Sequence, residues 1–245
     1  MKVGIVIGTR PEVMKNYAIV RALREASIDF VVLHTNQHQD PLLREAIFAR
    51  MGYAPDFIFP RPYSIGAAID WTCELIRFCQ IDLILVNGDT AASLVGAVAA
   101  VYSDVGLAHI EAGLRAFDNC MYEERNRIMV DSAAHYLFTY TQHQTEYLKK
   151  IPDLRGRIFN VGNTTIDLIQ DFSAELVKPR PDTYAYITLH RKEFTDSRAR
   201  MIDVFTTLNT LANEFDAMIF PIHPRTRAAM KDYNLNPDIL SRITV

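Results

Sequence analysis

At 245 residues, 49% hydrophobic and 22% charged, the chain can build one large or two ordinary domains around a substantial core. Its 26 basic and 29 acidic residues leave a formal charge of −3, which excludes the broad basic field of a nucleic-acid-binding protein. The opening apolar run is too short for a signal peptide or a membrane span and no later run is long enough to span a bilayer, so a soluble, cytoplasmic protein is expected.

The predicted elements alternate between short apolar runs and helical patterns. Strands are expected at Lys2–Gly8, Phe30–Thr35, Leu83–Asn87, Gly106–Ile110, Tyr136–Thr139 and Ile158–Val161. Several are apolar throughout, as in a parallel sheet covered on both faces. Pro11 suits a first helical turn, and Ile19, Val20 and Leu23 supply the buried side of the helix that follows. The Ala-, Val- and Gly-rich stretch Thr90–Tyr102 permits close packing of helix on sheet, and a further helix is expected at Thr165–Leu176. This βαβα order predicts a doubly wound α/β domain over residues 1–177.

The polar, proline-rich segment Lys178–Asp182 reads as a linker. A second domain over residues 178–245 then starts a new cycle: strand Ala185–Thr188, helix Ser197–Phe215, strand Ala217–Pro221, helix Thr226–Tyr233, and the opening of a third strand at Ile243–Val245. Two βα units and a strand stub make this second domain incomplete. Cys73, Cys79 and Cys120 have neither C-x-x-C nor zinc spacing and read as reduced thiols.

In such sheets ligands bind beyond the carboxyl ends of the strands, and the polar clusters fall there. The first strand runs into Gly8-Thr9-Arg10-Pro11-Glu12, with Lys15 one turn on. Gly8 allows close backbone approach and Arg10 and Lys15 supply positive charge; an ordinary capped turn with Arg10 paired to Glu12 is the plainer reading. The third ends in Gly88-Asp89-Thr90, where Asp89 is either a helix cap or part of a site. The fourth enters a stretch holding Glu111, Glu123 and Glu124 beside Arg115, Arg125 and Arg127, around Gly113 and a turn at Phe117–Asn119. This stretch reads as a charged loop suited to an anionic substrate. Asp89, Glu111 and Glu123 converging in one cleft would raise a carboxyl pKa towards acid/base use. In the second domain, His190 follows one strand and is followed at once by Arg191 and Lys192, which suits it to meeting a phosphate rather than being a plain surface imidazole; His223 follows another and reads either as a site residue or as a turn histidine between prolines. The remaining histidines lack metal spacing.

Taken in order, G-T-R-P-E (8–12), N-G-D-T (87–90), H-I-E-A-G-L-R (109–115), E-E-R-N-R (123–127), V-G-N-T-T-I-D (161–167), T-L-H-R-K-E (188–193) and I-H-P-R-T-R (222–227) resemble the non-hydrolysing UDP-N-acetylglucosamine 2-epimerases. The resemblance implies two Rossmann-like domains in a fold resembling the B-type glycosyltransferases, with the active site between them. It implies elimination of UDP across C1–C2 and its re-addition with the C2 proton returned to the other face, giving UDP-N-acetylmannosamine. Asp89, Glu111, Glu123 and His190 are the implied catalytic residues, and Arg10, Lys15, Arg115, Arg127 and His223 the implied substrate-binding ones. No nicotinamide or metal is required, and a homodimer is implied.

The sequence departs from the family pattern at Tyr122, where Pro is usual; at Asn36, where Gly is common; and at Phe194, where Asn is common. The family also continues into a Ser/Gly-rich, glutamate-bearing segment that grips the nucleotide. Without it, a fragment or short form is expected that alone binds UDP-sugar poorly. A hydrolysing relative, a diacetamido-uronate UDP-sugar 2-epimerase and a non-catalytic UDP-sugar-binding protein are the alternatives.

Overall fold

The computed structural model describes residues 1–37, 41–60, 62–175 and 183–244, without the side chains of 41–43 and 237. The chain divides into two compact units, Met1–Glu175 and Leu176–Val245. The expected linker Lys178–Asp182, His38 to Asp40 and Val245 lie outside the described residues.

In the first unit the order is β1 (Lys2–Ile7), α1 (Arg10–Lys15), α2 (Tyr17–Glu25), β2 (Asp29–His34), α3 (Pro41–Met51), β3 (Phe57–Ile58), α4 (Ile65–Cys79) and β4 (Leu83–Asn87). There follow α5 (Ala91–Tyr102), β5 (Gly106–Ile110), α6 (Tyr122–Ala133), β6 (Tyr136–Thr139), α7 (Gln142–Leu148), β7 (Arg157–Asn160) and α8 (Thr164–Asp171). Among the described residues, seven strands form one sheet in the order β3-β2-β1-β4-β5-β6-β7, and every pairing is parallel. Side chains alternate between two cores. Val6, Val31, Leu33, Ile84, Val86 and Leu107 pack on one face, and Val3, Ile5, Ile7, Val32, Leu85 and Ile110 on the other. This two-sided burial is why the strands are apolar throughout.

α5 is the central helix of its layer, buried along Ala92, Ser93, Val95, Gly96, Ala97, Ala99 and Ala100. Gly96 is needed there, because a Cβ would lie 2.5 Å from Val86 Cγ1. The first helical segment is not continuous. Asn16 separates α1 from α2 and donates from Nδ2 to Glu12 O at 2.8 Å. The expected helix to Leu176 stops earlier: α8 ends at Asp171 and a 3-10 turn, Ser173–Glu175, follows. Two-residue β3 has no sequence signal of its own; it exists by pairing with Leu33 and His34 of β2.

The second unit contains β8 (Tyr184–Tyr186), α9 (Lys192–Thr195), α10 (Arg198–Leu211), β9 (Ala217–Ile219) and α11 (Pro224–Asp232). β8 and β9 pair in parallel, and Thr244 bridges Ile219 in parallel. Both strands are shorter than the apolar runs suggest. α10 ends at Leu211 in a 3-10 turn, Ala212–Glu214, rather than running to Phe215. Met201, Phe205, Met218 and Phe220 form its core. No described helix is long and apolar enough to cross a membrane.

Candidate active site

The strand order of the first unit reverses between β1 and β4, and at such a switch point two helices leave on opposite faces and open a crevice. The turns after β1, β4 and β5 meet there. Gly8 is required by close approach, since a Cβ would lie 2.4 Å from Thr35 Oγ1 and 2.8 Å from Ala92 Cβ. Next to it, Glu12 turns inward and accepts from Gly8 N at 2.9 Å, Thr9 N at 2.8 Å, Thr9 Oγ1 at 2.8 Å and Thr90 Oγ1 at 2.7 Å. Burial pushes the Glu12 pKa up and these donors pull it back, leaving it raised. Glu12 therefore fastens the β1 turn to the β4 turn. Arg10 is left exposed, so the plainer Arg10–Glu12 pairing is not what this turn contains.

Lys15, at the end of α1, forms an ion pair with Glu111, immediately after β5. Glu111 is buried, and its backbone is left-handed, with φ at +74°. A non-glycine residue pays about 1–2 kcal/mol for that conformation, and such strain collects where the surrounding structure fixes a side chain for use. Gly88, with φ at +82°, runs beside this pair; a Cβ would lie 3.5 Å from Lys15 Nζ and 3.7 Å from Glu111 Oε1.

Asp89 follows. It does not cap α5; Thr90 does, its Oγ1 accepting from Ser93 N. The Asp89 carboxylate instead pairs with Arg127 of α6, and Asn126 Nδ2 donates to its backbone oxygen at 2.8 Å. Burial raises the Asp89 pKa; Arg127 and Lys15 oppose the rise, while Glu111 and Glu123 add to it. The net displacement is upward, as when several carboxylates share poor solvation. Asp89, Glu123, Thr9, Pro11, Thr90 and Tyr122 line a cleft of about 330 Å³.

The stretch read as a charged loop divides in two. Glu123, Glu124, Arg125 and Arg127 belong to helix α6, and only the part preceding Tyr122 is irregular. A closed network holds that part. His109, fully buried, bridges Asp131 Oδ1 at 2.6 Å and Gly88 O at 2.9 Å. Arg115 Nη2 donates to Asp131 Oδ2 at 2.6 Å and Nη1 to Leu114 O at 2.7 Å. Gly113 N adds a third donor to Asp131 at 3.1 Å. Burial alone would raise the Asp131 pKa, but the hydrogen bond and charge from His109, with the Arg115 guanidinium, override it and leave it lowered. The Arg115 side chain is only 3% exposed. Expected among the substrate-binding residues, its guanidinium is here held by this network, because a buried charge without a partner is costly. Arg127 spans both groups, reaching Asp89 and, at 3.3 Å, Glu124.

His109 and Asp131 drew no functional reading from sequence. The available signal was a histidine inside an otherwise apolar strand, since such a residue must find buried partners.

The three departures from the family pattern each have a defined place in the structure. Asn36 has φ at +60°, the left-handed region that Gly enters freely and Asn tolerates, and its Nδ2 donates to Phe59 O at 3.2 Å. Tyr122 is the first residue of α6, where Pro would also fit. Phe194 is buried edge-on against Phe205, with ring centroids 5.7 Å apart.

In the second unit the turns after β8 and β9 are joined. The exposed His190 and His223 rings stack, with centroids 5.0 Å apart and planes at 29°. His223 caps α11, its Nδ1 accepting from Arg225 N at 3.2 Å. Arg225 Nη1 reaches His190 O at 3.4 Å, and Thr226 Oγ1 donates to Leu189 O. Thr188, His190, Arg191 and Arg200 line a neighbouring open cavity of about 640 Å³.

The model of the family described as UDP-N-acetylglucosamine 2-epimerase matches residues 21–244. The chain belongs to this family. It is 33% identical to the UDP-N-acetylglucosamine 2-epimerase of Methanocaldococcus jannaschii, over 96% of this chain and 69% of that protein. It is 31% identical to the UDP-2,3-diacetamido-2,3-dideoxy-D-glucuronate 2-epimerase of Pseudomonas aeruginosa, over 98% of this chain and 71% of that one. Among solved structures, the M. jannaschii UDP-GlcNAc 2-epimerase in complex with UDP-GlcNAc and UDP superposes with a TM-score of 0.83 and 32% identity, covering all of this chain and 72% of that one. The α/β fold is that of these epimerases.

Proposed function

We propose that this chain interconverts UDP-N-acetylglucosamine and UDP-N-acetylmannosamine. The observation that carries the reading is the cluster of Asp89, Glu111 and Glu123 with Lys15 and Arg127 at the switch point of the sheet. The C2 proton of the sugar is not adjacent to a carbonyl, so its removal has to be coupled to departure of a leaving group. A carboxylate takes that proton, the C2–H electron pair becomes the C1=C2 double bond, and the C1–O bond breaks to release UDP. In the return step the UDP oxygen adds to C1 while a protonated carboxyl delivers a proton to the opposite face of C2. Asp89, Glu111 and Glu123 are assigned the proton transfers. The raised pKa of Asp89 supports this, because an ionised carboxyl of raised pKa is a stronger base for taking up the C2 proton and can return it in the reverse step.

Lys15 and the exposed Arg10 are assigned to the sugar nucleotide's negative charge. His190 and His223 are assigned to the diphosphate, with His190 supporting its departure. Arg127 sets the Asp89 carboxylate. The enzyme reading carries no bound cofactor and no metal, and places the protein in the cytoplasm as a homodimer. A second reading, 2-epimerisation of a diacetamido-uronate sugar nucleotide, is favoured by the similarity to the P. aeruginosa enzyme.

The test is proton NMR in D2O with each substrate in turn. Appearance of UDP-N-acetylmannosamine deuterated at C2 is the expected result. Conversion of only the diacetamido-uronate substrate establishes the second reading, and free sugar with UDP a hydrolysing enzyme. Binding with neither exchange nor cleavage overturns the catalytic reading.

A further inference from the structure

One polar group at this site lies outside the roles assigned above. Tyr140 follows β6, and β6 lies directly beside β5: Ile110 pairs with Phe138, and Ala112 N donates to Phe138 O at 3.1 Å. That register carries Glu111 past Thr139 and Ala112 past Tyr140, and the Tyr140 side chain has Glu111 as a neighbour. The β6–α7 turn is rigid, because Gln144 Oε1 accepts from Tyr140 N at 2.8 Å and Thr141 N at 2.9 Å. The Tyr140 hydroxyl and that of Thr164 at the start of α8 are shut off from solvent and complete no hydrogen bond, although Thr164 and Glu111 lie close enough to Tyr140 to act on its proton. Its surroundings are Glu111 and Thr164, and burial, followed by the Glu111 charge, holds its pKa above the ordinary phenol value. The phenol thus keeps its proton over the working pH range and has one to give.

A buried donor left unsatisfied costs about 1–3 kcal/mol, so such a group in a strained, charged site calls for a partner that completes it. We propose that Tyr140 is a positioning residue whose hydroxyl donates to the Glu111 carboxylate as Lys15 turns to bound sugar nucleotide, keeping that carboxylate ionised and aimed at the sugar. The inference rests on the proton-transfer role of Glu111 proposed above. Glu111 interacts with Lys15 from α1, Asp89 from the β4 turn and the neutral Tyr140; Arg127 and Glu123 of α6 act on Asp89, and Thr164 on Tyr140. Lys15 is the one cation whose ion pair with Glu111 is formed directly among the described residues. Transferring it to an anionic ligand leaves Glu111 beside Asp89 without its direct ion pair, and the Tyr140 hydroxyl is then the neighbouring donor.

The test is Tyr140→Phe in the full chain. The variant loses one oxygen that completes no hydrogen bond, so its melting temperature is expected to hold or rise. Its kcat is expected to fall about tenfold, as for a lost hydrogen bond to a charged group. KM should change little, and the acid limb of the kcat profile should move to higher pH. A merely structural tyrosine would leave that limb in place, and an unmoved limb with unchanged kcat overturns the proposal. A second readout does not depend on turnover: the Tyr140 hydroxyl proton, observed by NMR with UDP bound. It is expected downfield in the wild type and shifted upfield in Glu111→Gln. A hydroxyl resonance indifferent to that substitution overturns the proposal even if the chain proves inactive. C2 exchange by the wild type decides the enzyme reading separately.

Discussion

Asp89, which pairs with α6, and Asp131, which lies on it, are both withdrawn from water and both paired with an arginine, yet their acidities move in opposite directions. Asp131 has three donors, from His109, Arg115 and Gly113. Asp89 has one, from Arg127, and shares its surroundings with Glu111 and Glu123. Burial is the largest single influence on each. What differs is whether enough donors answer it, and that separates a carboxylate that holds structure from one able to exchange a proton. His109 links the two, since its other ring nitrogen meets the Gly88 carbonyl just before Asp89.

The comparison breaks most sharply if the open cluster can lose a carboxylate without consequence. Asp89→Asn and Glu111→Gln are each expected to lower C2 proton exchange by about 10³-fold, within the range for a lost acid or base. Circular dichroism and melting temperature should stay near wild type. A loss of exchange matched by a loss of folded protein would make these residues structural and erase the distinction.

The closed network should respond the other way. Asp131→Ala strands His109 and Arg115 inside the protein and is expected to cost about 3 kcal/mol in urea denaturation, the lower end for breaking a buried ion pair. The pH dependence has a definite sign. Because the folded-state pKa of Asp131 is depressed, its contribution is fully present above the ordinary Asp value and is lost as pH falls through the depressed one. The variant should therefore show a flatter acid limb of stability than the wild type. An unchanged acid limb would show that Asp131 is not the group that matters there.

The strands that frame the site were legible in sequence because both faces of the sheet are buried. β4, β5 and β6 begin and end where their apolar runs do. The strand-end rule located the polar clusters, since Gly8 to Lys15 and Asp89 leave β1 and β4, which flank the switch point, and Glu111 leaves the neighbouring β5. It could not say which way Arg115 points, because its partner Asp131 lies sixteen residues on and on another element. Nor could the sequence show that the charges from Glu123 to Arg127 sit on a helix. A single turn of charged residues has no apolar stripe, and α6 becomes visible only through Val130 and the buried face that follows. In the second unit β8 and β9 are three residues each, so their apolar runs extend into turns and overstate them. The stacked His190–His223 pair was likewise invisible, because it depends on two turns meeting through Arg225 and Thr226.

Arg127 offers the finest test, because it is the residue through which the two networks touch. It pairs with Asp89 on one side and with Glu124 on the other, and Glu124 also accepts from Ala116 N at 2.8 Å within the closed loop. Arg127→Met keeps much of the side-chain volume and removes the charge. Among the influences on Asp89, Arg127 is the largest that lowers its pKa. Its removal leaves burial and the neighbouring carboxylates unopposed except by Lys15, so Asp89 should bind its proton at still higher pH. The acid limb of the exchange rate is then expected to move up by about one pH unit, the lower end of what a neighbouring arginine does to an aspartate, with roughly a tenfold loss on that limb. The alkaline side should change less, since Asp89 is ionised there in both proteins. If the rate instead falls equally at every pH, Arg127 acts by holding the loop through Glu124, and the open cluster owes its shape to the closed one.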